Sequence, residues 1–241
     1  MLYPKKSLGQ NFLINQGVLE KIVAAAELGP DDTVLEIGPG TGNLTKLLSE
    51  KTGRVIAVEK DRRLIEGLQE KFKNTNVEII EGDILKLNID ELFRNSKLEI
   101  RNSDYKVVGN IPYYITSHLL KTIFEEWPRP KLIVLTVQKE VAQRIVVRPP
   151  YMNLLALSVQ FYSEPKIISY ISRGSFRPMP KVDSAIIKLT TYDKPLTTDP
   201  KKFFELIKVG FSRKRKQLKN TIGIEILKHA DIKPELRPEE L

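Results

Sequence analysis

Cysteine is absent from this 241-residue chain. Without it a protein has no structural disulfide, no thiolate zinc site and no cysteine nucleophile, so the classes of protein that depend on these groups are excluded. Histidine is scarce too, and His118 and His229 lie too far apart in the sequence to indicate a metal site. We therefore predict that the protein holds no metal ion.

Long apolar runs are also missing, since none approaches the roughly 18 residues that cross a bilayer as a helix. The opening segment, MLYPKKSLGQNFL, lacks the continuous apolar stretch of a secretion signal. With 41% hydrophobic and 29% charged residues, the composition is that of an ordinary globular protein. We expect a cytoplasmic protein with no membrane partner, built as one large domain with a small appendage.

Basic residues outnumber acidic ones, 39 to 30, which gives a formal net charge of +9. An excess of this sign favours an anionic partner such as nucleic acid or a membrane surface. Residues 208–219 read KVGFSRKRKQLK and contain six basic residues and no acidic one. Such a run is typical of a nucleic-acid contact and equally of a solvated helix face.

Apolar periodicity predicts alternating strands and helices over the first part of the chain. The predicted strands are Thr33–Ile37, Arg54–Val58, Val77–Ile80, Tyr105–Val108 and Leu132–Val137. The predicted helices are 15–28, with Asn15 as N-cap, Leu44–Glu50, Arg62–Phe72 and Ser117–Glu126. Alternation of this kind is typical of crossover units and of a mostly parallel sheet covered on both faces, a doubly wound α/β fold.

The pattern changes further along the chain. Three strand-like runs with little helix between them predict an antiparallel edge of the sheet: Leu154–Phe161, Lys166–Ile171 and Ala185–Thr191. A linker is predicted at 194–200, followed by the helices Lys201–Phe211, Lys214–Thr221 and Glu225–His229. We therefore predict an α/β domain over residues 1–192 and a small basic helical domain over residues 193–241.

A glycine-rich loop, EIGPGTGN at 36–43, follows the first predicted strand. Closely spaced glycines let the backbone turn tightly and approach a ligand where a strand leads into a helix. The loop departs from the dinucleotide fingerprint because Asn43 stands where that motif needs Gly or Ala, and no Lys-Ser/Thr follows to make a Walker A loop. Taken alone, it could be only a strand-to-helix turn.

Two acidic residues extend the possible ligand site. Glu59 ends the second strand, about 20 residues after the loop, where a carboxylate can accept hydrogen bonds from both hydroxyls of a ribose. Asp83 follows the third strand at the same edge of the sheet. Either one alone would be read as a solvated strand-end acid. With the loop, they predict a nucleoside pocket without a pyrophosphate cradle, which fits S-adenosylmethionine better than NAD.

The segment Asn110-Ile111-Pro112-Tyr113 follows the fourth strand. The side-chain oxygen of Asn110 and the backbone carbonyl preceding Pro112 can both accept from one exocyclic amine, which turns the lone pair of that amine toward an electrophilic methyl group. Tyr113 offers an aromatic face on which a base can stack. The alternative is an Asn-x-Pro turn beside a core tyrosine.

A second aromatic residue begins the segment 176–185, FRPMPKVDSA. Its two prolines stiffen the loop and hold Phe176, so a base extruded from its stack could be sandwiched between Phe176 and Tyr113. Phe176 could instead do no more than cap the edge of the sheet.

Together these segments resemble the KsgA-type ribosomal RNA adenine N6,N6-dimethyltransferases, whose architecture the Erm resistance methyltransferases share. The resemblance runs nearly end to end and rests on the segments 6–13, 36–42, 110–113, 138–145 and 176–185. It implies a Rossmann-like, S-adenosylmethionine-dependent fold. The cofactor contacts that it implies are Asn11, Leu13, Gly38, Gly40, Glu59, Asp83, Ile84 and Asn110. The implied catalytic set is Asn110, Pro112, Tyr113 and Phe176.

The resemblance also implies a reaction and a partner. A KsgA-type enzyme transfers two methyl groups to N6 of each of two adjacent adenosines near the 3′ end of 16S ribosomal RNA, within the 30S precursor. The opening KKSLGQ and the basic segment at 211–218 favour this type over Erm. Implied RNA contacts are Arg213, Lys214, Arg215 and Lys216, and we expect a monomer. Two alternatives stay open: Erm-type methylation of large-subunit RNA, and a non-catalytic ribosome-assembly or transcription factor on the same fold.

Overall fold

The computed structural model describes residues 4–5, 8–96, 104–194, 199–213 and 216–241. Its strands are β1 Phe12–Leu13, β2 Thr33–Ile37, β3 Arg54–Glu59, β4 Val77–Glu81, β5 Tyr105–Asn110, β6 Leu132–Gln138, β7 Ser163–Ile171, β8 Phe176–Arg177 and β9 Ser184–Thr191. Its α-helices are α1 Gln16–Ala25, α2 Asn43–Ser49, α3 Arg62–Lys71, α4 Ile89–Asn95, α5 Thr116–Glu125, α6 Lys139–Ile145, α7 Leu154–Gln160, α8 Pro200–Phe211 and α9 Ile224–His229.

Seven strands form the central sheet, in the order β4-β3-β2-β5-β6-β9-β7. The pairs from β4 to β6 are parallel, whereas β9 runs antiparallel to β6. This confirms the predicted α/β fold with an antiparallel edge. The chain builds outward from β2 to β4 and then returns to place β5 on the other side of β2. Ligands of such sheets bind at this reversal, beyond the carboxyl ends of the strands.

The central strands are mostly apolar because helices cover both faces of the sheet, although Glu36 in β2 and Lys106 in β5 are buried charged-type residues. Leu35 in β2 and Val107 in β5 are completely buried. Helix α1 begins where Asn15 predicts it, since the Asn15 side chain accepts a hydrogen bond from the Val18 N–H. The predicted strands and helices from β2 through β6 are therefore confirmed, and the structure adds helix α4, which the sequence pattern did not predict.

Inter-residue contacts group the chain into two compact units, residues 1–142 with 166–191, and residues 143–165 with 192–241. The second unit thus includes residues 143–165, which the sequence places in the α/β domain. The predicted strand Leu154–Phe161 is wrong, because this segment forms helix α7. Asn153 caps the helix by accepting from the Ala156 N–H, and the helix packs against α8 within the second unit.

The second unit has an aromatic core. The ring of Phe161 stacks on that of Phe203 with centroids 4.5 Å apart, and Phe204 meets Phe161 edge-on at 5.2 Å. Helices α8 and α9 confirm two of the three helices predicted here. Where the helix Lys214–Thr221 is expected, the described residues form only a 3-10 turn at Leu218–Asn220, while 214–215 lie outside the described residues.

Candidate active site

A cavity of about 1160 Å³, counting its open mouth, lies at the carboxyl ends of β2, β3 and β5 in the first unit. It is lined chiefly by the segments 8–13, 36–41, 43–44, 58–60, 82–85 and 110–115. All eight predicted cofactor residues line it, namely Asn11, Leu13, Gly38, Gly40, Glu59, Asp83, Ile84 and Asn110, and so do Pro112 and Tyr113. The structure therefore brings together residues that are up to 102 positions apart in the sequence.

The glycine loop forms one wall of this cavity. Gly38, Gly40 and Gly42 have φ angles of +71°, +58° and +75°, the left-handed region that favours glycine. A Cβ at Gly40 would stand 2.9 Å from the ring of Phe12, so glycine is also needed there for the N-terminal segment to approach. A Cβ at Gly38 would meet nothing within 4 Å, which leaves space beside the backbone for a ligand.

Glu59 is buried at the end of β3 and is held by the backbone. Its Oε2 accepts from the Gly40 N–H at 3.0 Å, and its Oε1 accepts from the Asp61 N–H at 2.8 Å. Burial raises the pKa of Glu59, against the opposing effect of these two bonds. Each carboxylate oxygen keeps a second lone pair, so both can still accept from the hydroxyls of a ribose.

Asp83 follows β4 and stands partly exposed at the rim. Its Oδ2 forms a 2.8 Å ion pair with Lys60 Nζ, and its Oδ1 accepts from the Leu85 N–H at 3.2 Å. Burial works against ionisation, but the Lys60 ammonium and the N–H outweigh it, and the pKa of Asp83 lies below its ordinary value. Asp83 is thus an ionised acceptor at the cavity edge.

Glu36 is a third acidic residue of the site, and sequence reasoning assigned it no role. It is completely buried in β2, lines the cavity, and its Oε2 has no hydrogen-bond partner among the described residues. Burial, with a contribution from Glu59, raises the pKa of Glu36 to about 8. An acidic residue within the apolar strand TVLEI is the signal that could have found it.

These features fit S-adenosylmethionine. The Oε2 of Glu36, unpartnered among the described residues, is a buried polar atom that a polar ligand can satisfy. A ligand that brings positive charge would favour the ionised form of Glu36, and this cofactor carries both a sulfonium and an ammonium group. Glu59 and Asp83 add carboxylate acceptors to the cavity lining, as a nucleoside requires, and the open side of Gly38 leaves room beside the backbone.

Asn110 ends β5, beside the glycine loop. Its Nδ2 donates to the backbone oxygen of Asn11 at 2.9 Å, which fixes the amide and leaves the Oδ1 available as an acceptor. The preceding Gly109 lets β5 approach β2, since a Cβ there would stand 2.9 Å from the Ile37 oxygen. The predicted acceptor of Asn110 is therefore held at the cavity.

Tyr113 lies half-buried against the cavity. A hydrogen bond joins its phenol to Ser184 Oγ, and burial raises the pKa of the phenol. Since Ser184 lies in the proline-containing segment 176–185, that segment helps to fix the ring of Tyr113. Pro112 starts the turn into this ring and lines the same cavity.

The structure contradicts the base-stacking role that the sequence predicts for Phe176. Its ring is completely buried in the hydrophobic core, and it is not among the residues that line the cavity. Strand β8 pairs antiparallel with β1, placing Phe176 opposite Leu13. Because no part of the ring is open, the predicted sandwich of a base between Phe176 and Tyr113 is not formed in this structure.

The N-terminal segment is tied to the cavity by contacts that sequence reasoning missed. Gln10 Nε2 donates to Asp61 Oδ2 at 2.9 Å, and the side chain of Asp61 is itself buried and bonded to Arg63. The Arg63 guanidinium holds the pKa of Asp61 well below its usual range. This network fastens the segment that carries Asn11 to the end of β3.

The basic segment belongs to the second unit. Arg213 and Lys216 are exposed there, whereas Lys214 and Arg215 lie outside the described residues. Within the part of the chain that the structure describes, no helix is long and apolar enough to cross a membrane.

Sheet order and cavity together define a class, the Rossmann-like methyltransferases that use S-adenosylmethionine. Residues 1–234 match the ribosomal RNA adenine dimethylase family, and the chain belongs to that family. A relative from Dehalococcoides mccartyi, ribosomal RNA small subunit methyltransferase A, is 44% identical over 100% of this chain and 85% of its own length.

Two solved structures are similar to this chain over nearly its whole length. A dimethyladenosine transferase from Plasmodium falciparum has a TM-score of 0.81 at 29% identity, covering 95% of this chain and 92% of that one. The 23S rRNA methyltransferase ErmE has a TM-score of 0.77 at 27% identity, covering 95% of this chain and 96% of its own.

Proposed function

We propose that the protein dimethylates N6 of two adjacent adenosines near the 3′ end of small-subunit ribosomal RNA, using S-adenosylmethionine and releasing S-adenosylhomocysteine. The observation that carries the proposal is the convergence of Asn110, Glu59 and Asp83 on one cavity. Support for the small subunit comes from the name of the Dehalococcoides relative, and support for dimethylation from that of the Plasmodium structure. We propose the 30S precursor as its partner and a cytoplasmic monomer as its working state.

In this proposal the cofactor is held by residues of the first unit. Glu59 accepts from the ribose hydroxyls, Asp83 accepts from the adenine amine, and Ile84 packs beside the adenine. Asn11 and Leu13 close the cavity from the N-terminal segment, and the loop with Gly38 and Gly40 leaves room for the amino-acid portion. When bound, S-adenosylmethionine supplies an electrophilic methyl group.

The target amine is oriented by the segment that begins at Asn110. Asn110 Oδ1 and the carbonyl of Ile111, fixed by Pro112, accept the two amine hydrogens and direct the nitrogen lone pair into the cavity. Tyr113 offers a face to the adenine ring. No strong general base is needed, because the methylated amine loses its proton readily, so orientation and exclusion of water carry most of the rate.

The basic segment contributes affinity rather than chemistry. Arg213, Lys214, Arg215 and Lys216 place four charges in succession with no aromatic residue between them. We propose that they bind phosphates of the RNA backbone, which position the substrate without reading its bases.

The test is transfer of labelled methyl groups to three substrates: naked small-subunit RNA, large-subunit RNA and assembled 30S particles. We expect transfer to small-subunit RNA, free or assembled, and none to large-subunit RNA. A substrate in which guanosines replace the two adenosines is the control and should accept no label. Transfer to large-subunit RNA would indicate an Erm-type enzyme, and no transfer to any substrate would indicate a non-catalytic factor.

A further inference from the structure

Tyr114 is an aromatic residue at the cavity that the proposed mechanism does not use. It follows Tyr113 directly and lines the same cavity, but 63% of it is exposed, whereas Tyr113 is half-buried and bonded to Ser184. Two consecutive aromatic rings thus differ in environment, with one inside the site and the other open to solvent at its mouth.

The ring of Tyr114 is supported from behind. Its Cε1 and Cδ1 lie 3.2 and 3.3 Å from the point where a Cβ would stand on Gly9, which has a φ of +62°. The Cβ of Pro112 lies 3.3 Å from that same point. A larger residue at position 9 would displace the ring, so glycine there lets the backbone serve as its support. An exposed ring with such backing loses little freedom when a flat ligand stacks on it.

Lys60 and Asp83 line the same cavity as Tyr114 and form an ion pair with each other at 2.8 Å. Asp83 and, to a lesser degree, the Tyr114 phenol raise the pKa of Lys60, whose side chain is half exposed. Lys60 therefore remains a cation, held in its pair with Asp83. The open aromatic face of Tyr114 at the cavity mouth suits a nucleotide, which presents a flat base that can stack on it.

We propose that Tyr114 stacks the base of the nucleotide adjacent to the one in the cavity. This inference rests on the proposed function, in which the substrate has two neighbouring adenosines. While one adenine lies against Tyr113, the other is held on Tyr114 at the mouth. Tyr114 is thus a positioning residue that presents the second adenosine for methylation before the RNA dissociates.

The experiment is a double-mutant cycle on RNA affinity and single-turnover transfer. The substrates are a small-subunit 3′-end RNA and two versions of it in which either adenosine lacks its base. We expect Tyr114→Ala to bind intact RNA about 10-fold more weakly and to leave more of the second adenosine unmethylated. One of the two altered RNAs lacks the base that we propose stacks on Tyr114. The Tyr114→Ala variant and the wild-type protein should bind that RNA with equal affinity.

Two variants make the outcome decisive. Tyr114→Phe keeps the ring and should restore affinity, and Tyr170→Ala removes a tyrosine that is 52% exposed but does not line the cavity, so it should bind like wild type. Equal losses for Tyr114→Ala on all three RNAs, or a loss of cofactor affinity alone, would overturn the inference. Failure of the proposed function would show separately, as absence of transfer by the wild-type enzyme.

Discussion

At the scale of single residues, the three acidic groups of the cavity differ in what already surrounds them. Glu59 is bonded to two backbone N–H groups, Asp83 is paired with Lys60, and Glu36 is buried with one oxygen unpartnered among the described residues. The three acids therefore differ in charge state and in the acceptor atoms they leave free, because their surroundings differ.

Glu59 gives the first prediction. Glu59→Ala should weaken binding of S-adenosylmethionine by roughly 1–3 kcal/mol, because two ribose hydroxyls lose a charged acceptor. Calorimetry without RNA measures this directly. Glu81→Ala is a matched control, since Glu81 lies opposite Glu59 in the β3–β4 register but is exposed and does not line the cavity. Equal affinities for the Glu59 and Glu81 variants would rule out the ribose assignment.

The second prediction concerns Asn110 and the rate of methyl transfer. Asn110→Ala should slow methyl transfer by several orders of magnitude while RNA affinity stays nearly unchanged, because most of that affinity comes from phosphates. Single-turnover transfer with bound RNA is the measurement. Asn43→Ala is the control: it also removes an amide bond to the N-terminal segment, to the Leu13 oxygen, without touching the proposed target amine. If the two variants transferred methyl groups at comparable rates, the segment 110–113 would be only a turn, with no role in orienting the target amine.

At the scale of elements, the short pair β1–β8 joins the N-terminal segment to the loop that contains Phe176. Leu13 and Phe176 face each other in this pair and both are buried in the same core cluster. The backbone of Ile14 extends the connection by donating to the Ser175 oxygen at 3.0 Å. A loop that the sequence predicts to contact substrate therefore fastens one wall of the cavity.

This placement predicts a stability effect for Phe176. Phe176→Ala should lower the free energy of unfolding by roughly 3–5 kcal/mol, the range for removing a fully buried phenylalanine. Urea denaturation is the measurement, and Phe176→Leu, which keeps most of the volume, should lose much less. If Phe176→Ala kept the stability of the wild type but bound RNA more weakly, Phe176 would instead be the base-stacking residue that the sequence predicts.

At the scale of the whole molecule, the buried acid Glu36 links stability to pH. Its pKa is about 8 in the folded protein, whereas the ordinary value is 4.5, so between these pH values the folded chain keeps a proton that the unfolded chain has lost. The contribution of Glu36 to the free energy of unfolding should therefore fall by about 1.4 kcal/mol per pH unit across this range and level off above it.

Glu36→Gln isolates the effect. Urea denaturation of the cofactor-free protein at pH 6 and pH 8 should show a smaller loss of stability for the variant than for the wild type. The difference between the two proteins removes the contributions of other titrating groups. Equal losses would mean that Glu36 is ionised in the folded protein throughout this range.

The last prediction concerns the basic segment and its contribution to the net positive charge of the molecule. Replacing Lys214, Arg215 and Lys216 with alanine should weaken RNA binding and flatten its salt dependence by roughly 0.7–0.9 units of log–log slope for each phosphate that the variant no longer binds. Affinity measured from low to moderate salt tests this. A control variant replaces three other exposed lysines, Lys51, Lys73 and Lys121. If the salt dependence of RNA binding did not change in the variant of the basic segment, that segment would be a solvated surface that binds no phosphates.

The sequence by itself determined the strands from β2 to β6, the helices between them other than α4, the glycine loop and the acids at the strand ends. These features are local, because apolar periodicity and strand-end positions depend on neighbours in the chain. Parallel strands then bring their carboxyl ends to one edge, so the sequence pattern is sufficient to predict that Gly38, Glu59, Asp83 and Asn110 lie together there.

Only the tertiary structure decided which side chains face the cavity and which face the core. Phe176 and Tyr114 are both aromatic residues beside predicted site segments, yet one is fully buried and the other is 63% exposed. Helix α7 likewise reads as a strand, because a short apolar run fits both structures. The bonds from Asn110 to Asn11 and from Gln10 to Asp61 join residues 99 and 51 positions apart. Such contacts depend on how separate elements pack against one another, which no local pattern of residues specifies.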